Sequence, residues 1–537
     1  SHDGIIVLPD DAVVGTPAAE YYHVESDWLI EIDITANRGD ALSHYGVARD
    51  LYAWLKQNGY KTRLHRPDCE AFRVDNESLP IAVEIENREA CKRYACVSIS
   101  NCDIKESPEW LQNKLRTVGL RPINNIVDIT NYVMMAYGQP MHCFDADMVE
   151  GHQIVVRTEP QGTPFVTLDG EERTLDEHDL CICNAREPMC IAGVLGGKGS
   201  GTYATTHSVV LEAAYFHPTW IRKTARRHGL STDASYRFER GINPDDVVYA
   251  LKQAAILCKE LTGGQVSMSI NDVYPSPIEG SRVSLSYDYV HRLIGKEIGA
   301  DTIKRIAESL EMRVLSENEE GLELLVPAYR SDVQRPCDVV EDMLRIYGYN
   351  NVEISNHLSS ALVIAGEEDE SHHLRNLIAE QLVGNGFYEI LNNSLTKLSY
   401  YAGREWTAYP DARTVKIMNP LSTDLGVMRQ TMLFGGLESL VRNINRKNSN
   451  LRFFEFGNVY QYTKEKWESD HPDKAYSQDL HLSLWLTGKQ VEGSWLQANA
   501  DSSVFELKAY LHNIFVRVGV SVEKLSVTAS ENNIFSA

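Results

Sequence analysis

The sequence predicts a multidomain protein of the α+β class, and three observations carry that expectation. The chain has 537 residues, several times the length over which one hydrophobic core normally extends. Its apolar residues switch repeatedly between helical stripes and short β-branched runs. Breaks rich in Pro, Gly and charge interrupt these patterns at 61–87, at PSPIEG (275–280) and at GEEDES (366–371).

Taken in order, residues 40–59 predict a helix. Leu42, Tyr45, Ala48, Leu51, Tyr52 and Leu55 fall on one face, and Gly59 suits a left-handed end. The strand-like WLIEIDIT (28–35) before it completes a small α/β unit over 1–60, and 61–87, with Pro67 and Pro80, reads as a linker. From 88 to 275 the pattern is mixed, with strands such as QIVVRT and HSVVLEAAYF. One helix there is expected to be capped by Ser107 with Pro108 first and Gly119 at its end, and another to run from Asn243-Pro244 to Gly263. Residues 276–354 predict a compact unit of strand RVSLSY, a helix carrying Ile303, Ile306, Ala307 and Leu310, strand LELLVPAYR and a helix at 338–348. Residues 355–537 predict a mixed domain with a helix near 371–385 and strands LRFFEFGNVYQY and HLSLWLTG. The chain starts and stops without an evident closing element, which suggests a piece of a longer protein.

Composition narrows the function classes. Lys plus Arg is 52 against 75 for Asp plus Glu, a net charge of -23 that argues against non-specific nucleic-acid binding through overall charge. No apolar stretch is long enough to span a membrane and no leader pattern opens the chain, so a soluble, cytoplasmic protein is expected. The ten cysteines form no CxxC pair, which fits reduced, buried thiols. Neither a P-loop nor GxGxxG is present.

The densest set of directed polar groups is LRPINNIVDITNYVMMAYGQPMHCFDAD (120–147), with Arg121, Asn124, Asn125, Asp128, Thr130, Asn131 and His142. Such density marks a site, or a set of helix caps around a core histidine. IAGVLGGKGSG (191–201) could let a ligand approach the backbone at Ala192, Gly193, Gly196 and Gly197, or could simply turn. Glu212 lies in the apolar strand VVLEAAYF. A carboxylate buried there must find a partner or shift its pKa, whereas on a solvated edge it would do neither. The helix opened by Pro218 carries Arg222, Lys223, Arg226, Arg227 and His228, either a phosphate-tracking patch or a solvated face. Asp332, Asp338, Glu341 and Asp342 set four carboxylates around one helix start, oxygen ligands suited to magnesium or ordinary acidic capping.

Together these strings resemble the bacterial phenylalanyl-tRNA synthetase beta-subunit family. IEIDITANRGDALSHYGVARDL, RPINNIVDITNYVM, GQPMHCFD, IAGVLGG, VVLEAAYF, TDASYRFERG, VPAYRSDV, NPLSTDLGVMRQTML and RFFEFGNVY carry the likeness in that order over nearly the whole chain. The resemblance implies a remnant of an N-terminal structural domain (1–60), a linker (61–87) and a mixed α/β editing domain (88–275). It then implies a winged-helix-like domain (276–354) and a class II synthetase-like antiparallel β module (355–537) without catalytic residues of its own. It also implies that a tRNA-binding insert before Ser1 and an anticodon-binding domain after Ala537 are missing. Its expected partners are an alpha subunit in an α2β2 tetramer and tRNA(Phe), with no membrane. ATP is expected as a substrate held by the alpha subunit, and magnesium is expected on Asp332, Asp338, Glu341 and Asp342. For editing, the resemblance puts His142, Thr130 and Asn131 near the terminal adenosine and the ester, with Arg121 a further catalytic residue of the pocket. Glu212 would meet the para-hydroxyl of a mischarged tyrosine, with Ala192, Gly193, Gly196, Thr232 and Ala234 completing the pocket. The runner-up is a tRNA-binding and assembly scaffold whose pocket is idle. Stand-alone nucleic-acid regulation is disfavoured, because RVSLSYDYVHRLIG carries no dense basic face.

Overall fold

The computed structural model describes residues 7–22, 26–354, 356–357, 366–526 and 534–535, and divides into two compact units, Ser1–Asn356 and His357–Ala537. The chain's last two residues, on which the expectation of a cut end rested, lie outside the described residues.

Two five-stranded sheets share the main core of the first unit. In one, Cys91–Ser100 and Val209–Phe216 pair antiparallel at the centre, and Met141–Asp145 adds antiparallel to the second of them. The other runs in the order Ala82–Ile85, Gln153–Thr158, Leu180–Cys183, Pro188–Ile191, Leu195–Gly196. The helices Asn125–Tyr137 and Val247–Thr262 pack on the first sheet. Each stops at a glycine with positive φ, Gly138 and Gly263, where the left-handed turn costs a residue without Cβ little.

Three expectations need correction. WLIEIDIT forms no strand; Trp28, Leu29 and Ile30 are exposed and find no partner strand among the described residues. The expected linker 61–87 is built into the fold: Ala82–Ile85 pairs parallel to Gln153–Val156, and Ile81 and Ile85 are core residues. Ser107 does not cap its helix, which runs Glu109–Thr117; its hydroxyl donates instead to buried Asp128 at 2.6 Å.

A second core in this unit joins the sheet Ser281–Ser286, Gly321–Val326, Arg313–Glu317 to helices Tyr287–Ile294, Ala300–Ser309 and Pro336–Tyr347. The helix His44–Gln57 belongs to it, since Ala53 is one of its buried residues. The described residues of 1–60 therefore form no core of their own. A charged lattice strengthens the join: Asp50 accepts from Arg38 and, 295 positions along the chain, from Arg345 at 2.9 and 3.1 Å.

In the second unit Leu451–Tyr462 and Tyr476–Thr487 pair antiparallel over their full length. The short strand Tyr388–Glu389 runs parallel to the first of these, so this sheet is mixed and not wholly antiparallel as expected. Alternation splits its faces: Leu451 and Phe453 pack with Leu440 and Trp485, while Phe454 packs with Leu382 and Ile514. Among the described residues no helix is long and apolar enough to cross a membrane. All ten cysteines are free, and eight are buried.

Candidate functional site

Register brings the candidate residues together. Glu212 lies opposite His142 on one side and Cys96 on the other, and Ala214 lies opposite Tyr94. Directly opposed residues of antiparallel strands point to the same face, and positions two apart share it. Glu212, His142, Cys96 and Tyr94 are therefore neighbours on one surface. The second sheet closes over that surface at Leu195–Gly196. A Cβ on Gly196 would sit 2.6 Å from Cε1 and 3.0 Å from Nε2 of His142, so the imidazole edge rests against bare backbone. The ring also meets Phe144 edge-on at 4.7 Å.

Three side-chain polar atoms on this surface are buried and unsatisfied. Glu212 is 5% exposed and Tyr94 is fully buried, and Glu212 Oε2, His142 Nε2 and Tyr94 Oη are all buried without a hydrogen-bond partner. His142 is only half-buried as a residue, but its Nε2 is sealed from solvent. Burial pushes the Glu212 carboxyl up to about 8, with the Tyr94 hydroxyl partly opposing it, and pushes the imidazole down to about 4. Both groups are thus predominantly neutral at pH 7. Folded proteins leave few buried polar atoms unpaired, and three in one chamber are the mark of a place where a polar ligand completes the bonding.

Other expected residues frame this chamber or stand apart from it. Ala192 is buried in the loop over the sheet; a Cβ on Gly193 (φ 67) would press on Phe238, Ile221 and Phe216 within 3.1 Å. Thr232 caps the helix Asp233–Phe238 and donates to Val194 O at 2.9 Å, anchoring that loop, and the next turn packs Ala234 on the core. Thr130 spends its hydroxyl on Val127 O within its own helix, Asn131 is half-buried on the same helix, and Arg121 is exposed before it. Among the described residues no hydrogen bond joins Arg121, Thr130 or Asn131 to Glu212 or His142. Asn124 caps that helix and Asn125 bonds Asp103 O, the structural roles left open above. Tyr94 was missed. The strand CKRYACVSIS is legible in the sequence, but only its register against Glu212 reveals that the phenol faces the carboxyl.

On the helix Pro218–His228, Arg227 pairs with buried Asp179, which also lies 2.7 Å from His228 Nε2, while Arg222, Lys223 and Arg226 face solvent. A cavity of about 470 Å³ lined by Ser286, Tyr289, Arg292 and Glu320 lies in the Ser281–Tyr347 module, away from Glu212. Volume does not mark the site here; unmet bonding does.

The acidic cluster resolves differently from the expectation of a cation site. Asp342 meets Arg330 at 2.6 Å and Arg345 at 3.1 Å, and Asp332 meets Arg330 at 3.1 Å. Asp338 accepts from the backbone N–H groups of Gln334 and Arg335 and pairs with the Arg335 side chain, which holds it down at about 2. Glu341 is exposed. Among the described residues no group of three or more His, Cys, Asp or Glu side chains is placed to hold a metal ion. Guanidinium groups face Asp332, Asp338 and Asp342, so the four carboxylates as placed here do not offer a hard cation a shared set of open oxygens.

Known proteins match this chain in three stretches and as a whole. Residues 90–263 match the family description "B3/4 domain", 283–349 "tRNA synthetase B5 domain" and 354–537 "Phenylalanyl tRNA synthetase beta chain CLM domain". A phenylalanine--tRNA ligase beta subunit of Bacteroides fragilis is 59% identical over 536 residues, covering 100% of this chain and 65% of that protein. Those of Porphyromonas gingivalis and Fusobacterium nucleatum are 47% and 34% identical, covering 100% and 99% of this chain and 65% and 64% of theirs. The chain thus spans about 65% of the length of the curated relatives it matches.

Proposed function

Because the chain belongs to the phenylalanine–tRNA ligase beta-subunit family, we propose that it supports ATP-dependent charging of tRNA(Phe) by an alpha subunit and hydrolyses mischarged tyrosyl-tRNA(Phe). One observation carries the hydrolytic half: Glu212, His142 and Tyr94 converge with three buried polar atoms unpaired.

The physical need for such a pocket is specific. An apolar pocket rejects an added hydroxyl by only roughly 100-fold, whereas a site built to hydrogen-bond that hydroxyl can discriminate by roughly 10,000-fold or more. A tyrosyl phenol would satisfy Glu212; a phenylalanyl ring would leave it orphaned and escape hydrolysis. His142, held neutral to about pH 4, is a weak base near neutrality, so its role is to position the ester or the attacking water. Thr130, Asn131 and Arg121 on the flanking segment would meet the terminal adenosine. The ester is already activated, and orientation with backbone donors supplies most of what its hydrolysis requires. No step is routed through a metal.

The second unit supports pairing with the alpha subunit and not catalysis. Glu455 of RFFE is buried and paired with Arg429 at 2.7 Å and Asn392 at 2.7 Å, while Leu391, Met418 and Leu421 are each at least 87% exposed. The test is deacylation by the Glu212→Ala variant. Its preference for tyrosyl- over phenylalanyl-tRNA(Phe) is expected to fall by about 100-fold or more with folding retained. Unchanged preference refutes the pocket assignment. No turnover by the unsubstituted protein favours an assembly scaffold.

A further inference from the structure

A carboxyl reads a hydroxyl from one side, and the same chamber holds a second group turned toward it. Tyr94 is fully buried, and its oxygen meets only the Glu212 carboxyl, short of full hydrogen-bond geometry. A phenylalanine would fill the same space without burying an unbonded hydroxyl, so packing does not explain the oxygen. Its position does. Tyr94 lies opposite Ala214, two residues from Glu212 on the same strand face, and is close enough to oppose the burial that raises Glu212.

We infer that Tyr94 is a specificity-determining residue of the pocket, its hydroxyl donating to the phenolic oxygen of a bound tyrosyl group while that phenol donates to Glu212. This deepens the hydrolytic reading above and rests on it. A phenol has one proton to give and lone pairs to receive, so the two protein groups together use both capacities. A phenylalanyl group leaves Glu212 and Tyr94 only each other, short of full hydrogen-bond geometry, so neither group gains the bond that a phenol supplies. Discrimination is then stricter than a carboxyl alone supplies.

The test is Tyr94→Phe in the assembled enzyme, assayed on tRNA(Phe) carrying tyrosine, p-aminophenylalanine or phenylalanine. The p-amino group can donate to Glu212 but accepts poorly from Tyr94. Hydrolysis of the tyrosyl ester is expected to fall about 10-fold, the other two esters being unchanged. The pH at which Glu212 ionises should move upward, since the hydroxyl that opposes its shift is gone. Equal loss on all three esters assigns Tyr94 a purely structural role, and no loss on any leaves its hydroxyl idle; either overturns the inference. Binding of p-cresol against toluene, read by ligand-observed NMR, separates failure of the inference from failure of the hydrolytic reading. A preference for p-cresol that Tyr94→Phe lowers about 10-fold supports the inference even where no ester is cleaved, and a preference that the substitution leaves unchanged overturns it.

Discussion

A lone carboxylate in an apolar strand and a cluster of carboxylates at a helix start differ in what surrounds them. Glu212 is buried with an oxygen that nothing bonds, whereas Asp332, Asp338 and Asp342 are answered by Arg330, Arg345, Arg335 and backbone N–H groups. Burial is common to Glu212 and Asp342, at 5% exposure each, so burial does not separate site from scaffold. Satisfaction does. A paired charge contributes to the fold, while an unpaired polar group stores a demand that a ligand can meet.

The comparison can be broken most forcefully at Arg330, whose side chain is 3% exposed and pairs with both Asp332 and Asp342. Arg330→Ala leaves those carboxylates short of a counter-charge and is expected to destabilise the first unit by about 3–5 kcal/mol in urea unfolding. A loss below the error of that measurement would show the lattice to be idle.

A smaller effect is expected at Glu212, with the opposite sign. Its folded pKa of about 8 lies above its ordinary 4.5, so the folded chain keeps a proton that the unfolded chain releases. The stability this group contributes is complete below about pH 4.5 and is lost as pH rises through about 8. Glu212→Gln removes the titration, so the variant should gain on the parent across that window, by a few kcal/mol at most. His142, lowered to about 4, loses stability as pH falls from about 6.5 and cancels in the comparison, being common to both proteins. A stability difference that does not vary with pH would remove the burial argument.

The smallest effect belongs to exposed Glu341. Glu341→Gln should change unfolding stability by less than about 0.5 kcal/mol. Magnesium should not raise the Tm of either version of this chain alone, and a rise confined to the parent would restore the four carboxylates as a cation site.

Sequence periodicity made most elements legible, and the reasons for the misses are physical. QIVVRT became the strand Gln153–Thr158 because its β-branched run Ile154, Val155 and Val156 is buried between paired strands. WLIEIDIT has the same local character but no strand beside it among the described residues, and pairing is what stabilises a strand. Ala82–Ile85 hid among prolines and charges because its parallel partner lies some seventy residues later. At the site, Glu212 and His142 could be nominated as polar groups in apolar runs. Their direct opposition, and the presence of Tyr94 beside them, depend on a register no local pattern encodes. At the acidic cluster Arg330 and Arg345 stand within a few residues of the carboxylates, and proximity in sequence does not say which charge answers which.

The tie between Asp50 and Arg345 has a topological consequence. It turns nearly three hundred intervening residues, the Glu212 chamber included, into a loop closed at its base, with Arg38 and Asp342 as further rivets. Such a loop is shielded from the outcome of a cut. A protease that nicks one of its surface turns should leave both fragments clamped together and the chamber intact until the rivets are drawn.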